Sequence, residues 1–191
     1  MKSTLKLKII IFITFCMVTF VACRDDVSNE SPALPSISSN TVSNDVQSDF
    51  VFILNNAGTE YGISAKENIK LKGEITIPAI YNAKPVTKIF NFTGQQEITR
   101  VVMSDNIREI DAGAFLYCTN LESIIFSNNL EIIDKSAFYT TGLISVTIPA
   151  SVTTIGYMAF GNCNNLIDIE IFANEVNIGK EAFQACTKLT G

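Results

Sequence analysis

The chain has 191 residues, 47% of them apolar, and a formal charge of −5. That length accommodates one domain of ordinary size with appendages, and the apolar share excludes a wholly disordered chain. There is no histidine, which removes Ser-His-Asp and Cys-His catalysis and histidine-bearing metal sites, and the acidic balance without any Lys/Arg-rich stretch excludes nucleic-acid binding.

Residues 9–22 (IIIFITFCMVTFVA) form a nearly unbroken apolar run behind Lys2, Lys6 and Lys8. A basic start followed by an apolar core is the layout of a secretory signal, and the run is short for crossing a bilayer. It ends in Phe20-Val21-Ala22-Cys23, which resembles the bacterial lipobox, with Phe20 standing where leucine is usual. Residues 1–22 are therefore predicted to be a lipoprotein-type signal peptide, with Cys23 the lipidated residue. The expected location is the bacterial cell surface or outer membrane, held there by the lipid on Cys23. On the residues alone, a soluble secreted product and an uncleaved anchor stay open. Cleavage before Cys23 removes three lysines and no acid, leaving 11 basic against 19 acidic side chains and a formal charge of −8.

Residues 23–49 are rich in Ser, Asn, Asp and Pro and carry no periodicity, so a disordered tether is expected. A flexible chain of that length has a reach of roughly 25 to 30 Å and an extended limit near ~90 Å. Residues 50–74 are predicted to form an N-terminal cap hairpin. Phe50 to Leu54 supply one strand, Asn55-Asn56-Ala57-Gly58 the turn, and the stretch around Tyr61 to Ile63 the return.

Internal periodicity decides the fold of residues 75–191. The pair Ala-Phe recurs at Phe115, Phe138, Phe160 and Phe183, at intervals of 23, 22 and 23 residues. An isoleucine precedes each ring by five residues (Ile110, Ile133, Ile155, Ile178), and a leucine follows at Leu121, Leu143, Leu166 and Leu189. Three and five residues after the first three leucines come Ile124 and Phe126, Val146 and Ile148, then Ile169 and Ile171. Ile89, Ile98, Val101 and Met103 continue the pattern upstream without the Ala-Phe pair, and Ile75-Thr76-Ile77-Pro78 supplies an earlier strand. Alternation after each leucine predicts a short parallel strand with one buried face, a second extended stretch leads into each Ile110-type position, and Ala-Phe is placed on a tight helical turn. A single unit buries too little to offset its own chain entropy, so the units must stack.

The runs Ala159-Phe-Gly-Asn-Cys-Asn-Asn-Leu166 and Val146-Thr-Ile-Pro-Ala-Ser-Val-Thr-Thr-Ile-Gly156 resemble the BspA-like, or Treponema-type, leucine-rich repeat of bacterial surface proteins. Ile77-Pro-Ala-Ile-Tyr-Asn-Ala-Lys-Pro-Val-Thr-Lys-Ile89 is similar to that family's lead-in to its first repeat. The resemblance covers about residues 50–191. It implies a curved leucine-rich-repeat solenoid exposed at the cell surface, with adhesion to host or neighbouring-cell surface or matrix proteins as the usual role. It implies no catalytic residues, and no cofactor or metal is expected.

Within the repeat, Cys118, Cys163 and Cys186 occupy one slot, three residues after the phenylalanine. The simplest reading is a small buried residue at a turn. A bridge between Cys163 and Cys186, in adjacent repeats, is the competing one. The outward strand positions are where a ligand would be met: Arg100 and Val102, Ser123 and Ile125, Ser145 and Thr147, Asp168 and Glu170. Val102 and Ile125 are apolar where solvent is expected. The leading expectation is a lipid-anchored adhesin or protein-binding module without enzymatic activity. The alternative is a passive structural or truncated protein, motivated by a chain that stops at Gly191 before the strand after Leu189.

Overall fold

The structure, a computed structural model, describes residues 49–190. The predicted signal peptide, Cys23 and residues 23–48 of the expected tether lie outside the described residues. From Gly73 onward the chain winds into a coil of short strands, each circuit adding one rung to two parallel ladders. The smaller face carries β3 (Gly73–Thr76), β6 (Ile98–Val102), β8 (Ser123–Ile125), β10 (Ser145–Ile148) and β12 (Asp168–Ile171). The larger sheet carries β5 (Lys84–Ile89), β7 (Glu109–Ile110), β9 (Ile132–Ile133), β11 (Thr154–Ile155) and β13 (Asn177–Ile178), paired in that order. These are the expected stretches leading into Ile110 and its equivalents, and they make the chain a leucine-rich-repeat solenoid.

The larger sheet begins with β1 (Phe50–Leu54) and β2 (Tyr61–Ala65), an antiparallel hairpin whose second strand pairs parallel with β5. A two-residue strand, β4 (Ile80–Tyr81), pairs antiparallel with β5 at its side. The hairpin covers the first rung with Phe50, whose ring lies 6.0 Å from that of Phe92. Phe52 stacks on Tyr81 at 3.7 Å between ring centres, with Tyr61 edge-on to both.

The interior is one column of apolar side chains, because every rung delivers the same set to the same depth. Its spine is a run of parallel rings, Phe92, Phe115, Phe138, Phe160 and Phe183, spaced 5.3, 5.3, 5.1 and 5.4 Å. Phe92 belongs to it although Asn91 replaces the alanine before it and Ile89 is only three residues away.

The helical turns expected around Ala-Phe are not helices; no helix occurs among the described residues. The cause is local. Two residues before each ring and two after it have left-handed φ: Gly113 (67°) and Tyr117 (61°), Ser136 (53°) and Thr140 (57°), Met158 (52°) and Asn162 (60°), Glu181 (60°) and Ala185 (58°). A helix needs unbroken right-handed φ. Here alternate amides instead close short local turns, as Ala114 N–H to Asp111 O and Leu116 N–H to Gly113 O, or reach the next rung. Gly113, Phe115 and Tyr117 donate to the carbonyls of Lys135, Ala137 and Tyr139 at 2.9, 2.7 and 3.0 Å. Inter-rung bonds at every turn offset the cost of the left-handed residues.

Candidate functional site

On the smaller face the side chains alternate as a half-buried sheet requires. Val101, Val146, Ile148 and Ile171 are buried, Ile124 and Ile169 are half-buried, and the intervening residues point away from the core. All eight residues predicted on this face lie outside the core. Arg100, Val102 and Ser123 are half-buried; Ile125, Ser145, Thr147, Asp168 and Glu170 are exposed. The ladder brings them together in register. Arg100 faces Ser123 and Val102 faces Ile125 across β6 and β8, and Ser145 faces Asp168 and Thr147 faces Glu170 across β10 and β12. Glu74 and Thr76 of β3 extend the row ahead of Arg100 and Val102. Glu74 Oε2 lies 3.3 Å from Arg100 Nε, an ionic contact rather than an aligned hydrogen bond. Arg100 is the one cation in these five strands, so the row runs from a neutralised pair at β6 to two carboxylates at β12.

One feature of the row was not expected from the sequence. The ladder is continuous through β3, β6 and β8 and again through β10 and β12, yet β8 and β10 are not paired. They meet at their start, where Ile144 N–H donates to Glu122 O over 3.2 Å. Beyond it a cleft of about 580 Å³ opens, lined by Ile124, Ile125, Phe126, Thr147, Pro149 and Phe172 among others. Two residues account for the separation. One rung later, Phe172 N–H donates to Ile148 O at 3.0 Å, while its counterpart Pro149 has no N–H to give to Phe126 O. Phe126 also places a ring where other rungs have Met103, Ile148 or Ile171, and that ring turns edge-on to Phe138 at 5.7 Å. The sequence signal was present in Ile148-Pro149 and in the turn before Leu143, which is one residue shorter than the others.

The opposite sheet offers a smaller concavity of about 290 Å³ between the cap hairpin and β5, β7 and β9. On its wall Lys88 Nζ reaches Glu109 Oε1 at 2.8 Å and Asp111 Oδ2 at 3.5 Å. Partial burial opposes the Lys88 ammonium, but the Glu109 hydrogen bond and the two carboxylates outweigh it and raise its pKa.

The cysteine slot faces inward. Cys118, Cys163 and Cys186 are buried free thiols, and no group of metal-ligating side chains is assembled among the described residues. Each Sγ lies 3.1 Å from a phenylalanine carbonyl of the preceding rung: Phe92, Phe138 and Phe160. Thr141 fills the same slot in the fourth rung, its hydroxyl donating to Phe138 O at 3.0 Å and lying 3.2 Å from Cys163 Sγ. The slot therefore requires a small donor, a chemical demand added to the steric one.

With this geometry in hand, a family model described as BspA type leucine-rich repeat region matches residues 87–191 in six copies. Among curated proteins no sequence matches the chain significantly. A leucine-rich repeat protein from Bacteroides capillosus is 28% identical, with a TM-score of 0.56 over 64% of this chain and 94% of its own. The T. pallidum leucine-rich repeat protein is 19% identical, with a TM-score of 0.52 over 75% of this chain and 89% of its own. The pneumococcal vaccine antigen PcpA is 20% identical, with a TM-score of 0.53 over 69% of this chain and 41% of its own.

Proposed function

Because the chain belongs to the BspA-type leucine-rich repeat family, we propose that it is an exported, lipid-anchored surface protein that binds other proteins and catalyses nothing. Its partner is a surface or matrix protein of a host or neighbouring cell, met by the outward residues of β6, β8, β10 and β12. The observation that carries the reading is the division of labour within each rung: inward positions are consumed by packing, whereas the outward residues are held in register within two blocks, β6–β8 and β10–β12, and free of the core. A stack of strands with an open face suits an extended protein contact, as repeat proteins use it. The apolar run ending at Cys23 supports export and anchoring.

The test takes the full chain in two arms. Palmitate-analogue labelling of cells expressing it is expected to mark the wild type and not Cys23→Ala; equal labelling of both removes the anchor from the reading. Intact cells are expected to bind immobilised matrix proteins, and the double reversal Asp168→Lys, Glu170→Lys to lower that binding at least tenfold. Wild-type cells that bind nothing across a broad panel, or a reversal without effect, would overturn the binding role of this face.

A further inference from the structure

The cleft between β8 and β10 interrupts the row that the proposed function makes the binding surface, and its lining differs from the row on either side. Ile125 and Phe172 are 45% and 42% exposed, large apolar side chains left facing solvent on the two lips. The rest of the lining is Ile124, Phe126, Asn128, Thr147, Pro149 and Ala150, a wall with one hydroxyl, one amide and no charge. An opening of about 580 Å³ is ample for a bulky apolar side chain. The Phe126 carbonyl, denied a donor by Pro149, adds a backbone acceptor at its rim.

The surroundings set the rest of the ligand's chemistry. Thr147, on the cleft wall, is in register with Glu170, and Ser145 with Asp168, so two carboxylates stand one strand spacing, about 4.8 Å, beyond the opening. Neither takes part in an ion pair among the described residues, whereas Arg100 on the far side is already engaged by Glu74. An extended chain lying across the strands advances roughly 7 Å every second residue. A side chain seated in the cleft therefore brings residues one or two places along over Asp168 and Glu170.

We infer that the β8–β10 cleft is an anchor pocket for a bulky apolar side chain of an extended peptide segment that carries lysine or arginine one or two residues further on. The inference rests on the strand face being the binding surface and specifies which part of it holds the partner, and by what. The ladder break is not a defect of the sheet but the feature that gives an otherwise flat face a place to hold a side chain.

The probe is a fluorescein-labelled decapeptide with Phe-Lys-Lys in a Gly/Ser background, titrated by anisotropy with the purified full-length chain. The wild type is expected to bind it, and the peptides with Gly for Phe or Glu for both Lys to bind at least tenfold more weakly. Thr147→Trp, which fills the cleft, is expected to weaken the parent peptide at least tenfold. Ala150→Phe, a second filler at an exposed position, does the same if Thr147→Trp fails to fold. No binding by the wild type, equal binding of the Gly-for-Phe peptide, or unchanged binding by a folded filler variant overturns the proposal. The two readings separate cleanly: matrix-protein binding that falls with the Asp168→Lys, Glu170→Lys reversal but survives cleft filling keeps the strand face and eliminates the cleft.

Discussion

The Cys163 thiol donates to the carbonyl oxygen of Phe138 across 3.1 Å, joining the cysteine slot of one rung to the aromatic spine of the rung before. The same bond repeats at Cys118 with Phe92 and at Cys186 with Phe160, whereas the Thr141 hydroxyl, in the same slot, donates to Phe138 O of its own turn. Residue type at this slot is thus set by a backbone acceptor on a fully buried residue.

Replacing Cys163 by serine keeps a donor of similar size and is expected to cost under about 1 kcal/mol. Valine removes the thiol donor while Phe138 O keeps its bond from the Thr141 hydroxyl, at a cost of about 0.5–1.5 kcal/mol for the lost hydrogen bond. Urea denaturation followed by circular dichroism separates the two, and equal midpoints for serine and valine would show that size alone matters.

Burial pushes the Cys118 thiol up to about 12 from an ordinary 9.0. The folded state therefore holds its proton more tightly than the unfolded chain does. Its contribution to stability is complete below pH 9 and is lost as the pH rises toward 12. Stability measured from pH 8 to 11 should fall with a slope that Cys118→Ser flattens. Iodoacetamide at pH 8.5 should label Cys118 only after denaturant is added.

Phe138 has a parallel ring on each side, whereas Phe183 has one neighbour and is only half-buried. Phe138→Ala is expected to cost about 3–5 kcal/mol, with Phe183→Ala clearly less. Thermal melts of the two variants check the order, and a reversed order would mean that the spine does not carry the stack.

Two glycines with different reasons to exist should respond to different degrees. A Cβ at Gly142 would meet Thr119 O at 2.4 Å, because the shortened turn presses the rungs together there, and Gly142→Ala is expected to cost about 1–3 kcal/mol or more. Gly113 has φ +67° but open space around it, and Ser136, Met158 and Glu181 occupy its position in later rungs at φ of 53, 52 and 60°. Gly113→Ser is expected to cost only about 1 kcal/mol in chemical denaturation, the strain of a left-handed side chain without a clash.

The rungs were legible because the fold repeats itself: Ala-Phe, Ile110 and Leu121 return at the same spacing, and a period-two alternation gives the outward residues directly. Phe92 was missed because two residues are absent between it and Ile89, although Phe92 and Ile98 keep the later spacing of ring to leucine. The absence of helix was illegible for a different reason. Tyr117, Met158 and Glu181 are ordinary side chains in left-handed conformations, imposed by hydrogen bonds to a neighbouring rung rather than by local preference. The cleft lies between these cases. Pro149 announces a lost donor, but only the neighbouring rung, with Phe172 in the same place, reveals which bond is lost.

The left-handed residues beside each phenylalanine have an electrical consequence. In a parallel strand ladder neighbouring peptide groups point opposite ways and their dipoles cancel. In the phenylalanine turns the amides of residues such as Gly113, Phe115 and Tyr117 all point toward the following rung, and carbonyls such as those of Ala114 and Leu116 face the preceding one. Stacked turn upon turn, these dipoles add along the solenoid axis, as they do along a helix. The solenoid is polarised, positive toward its later rungs, and each rung joins its neighbour in the single orientation that keeps the sum growing.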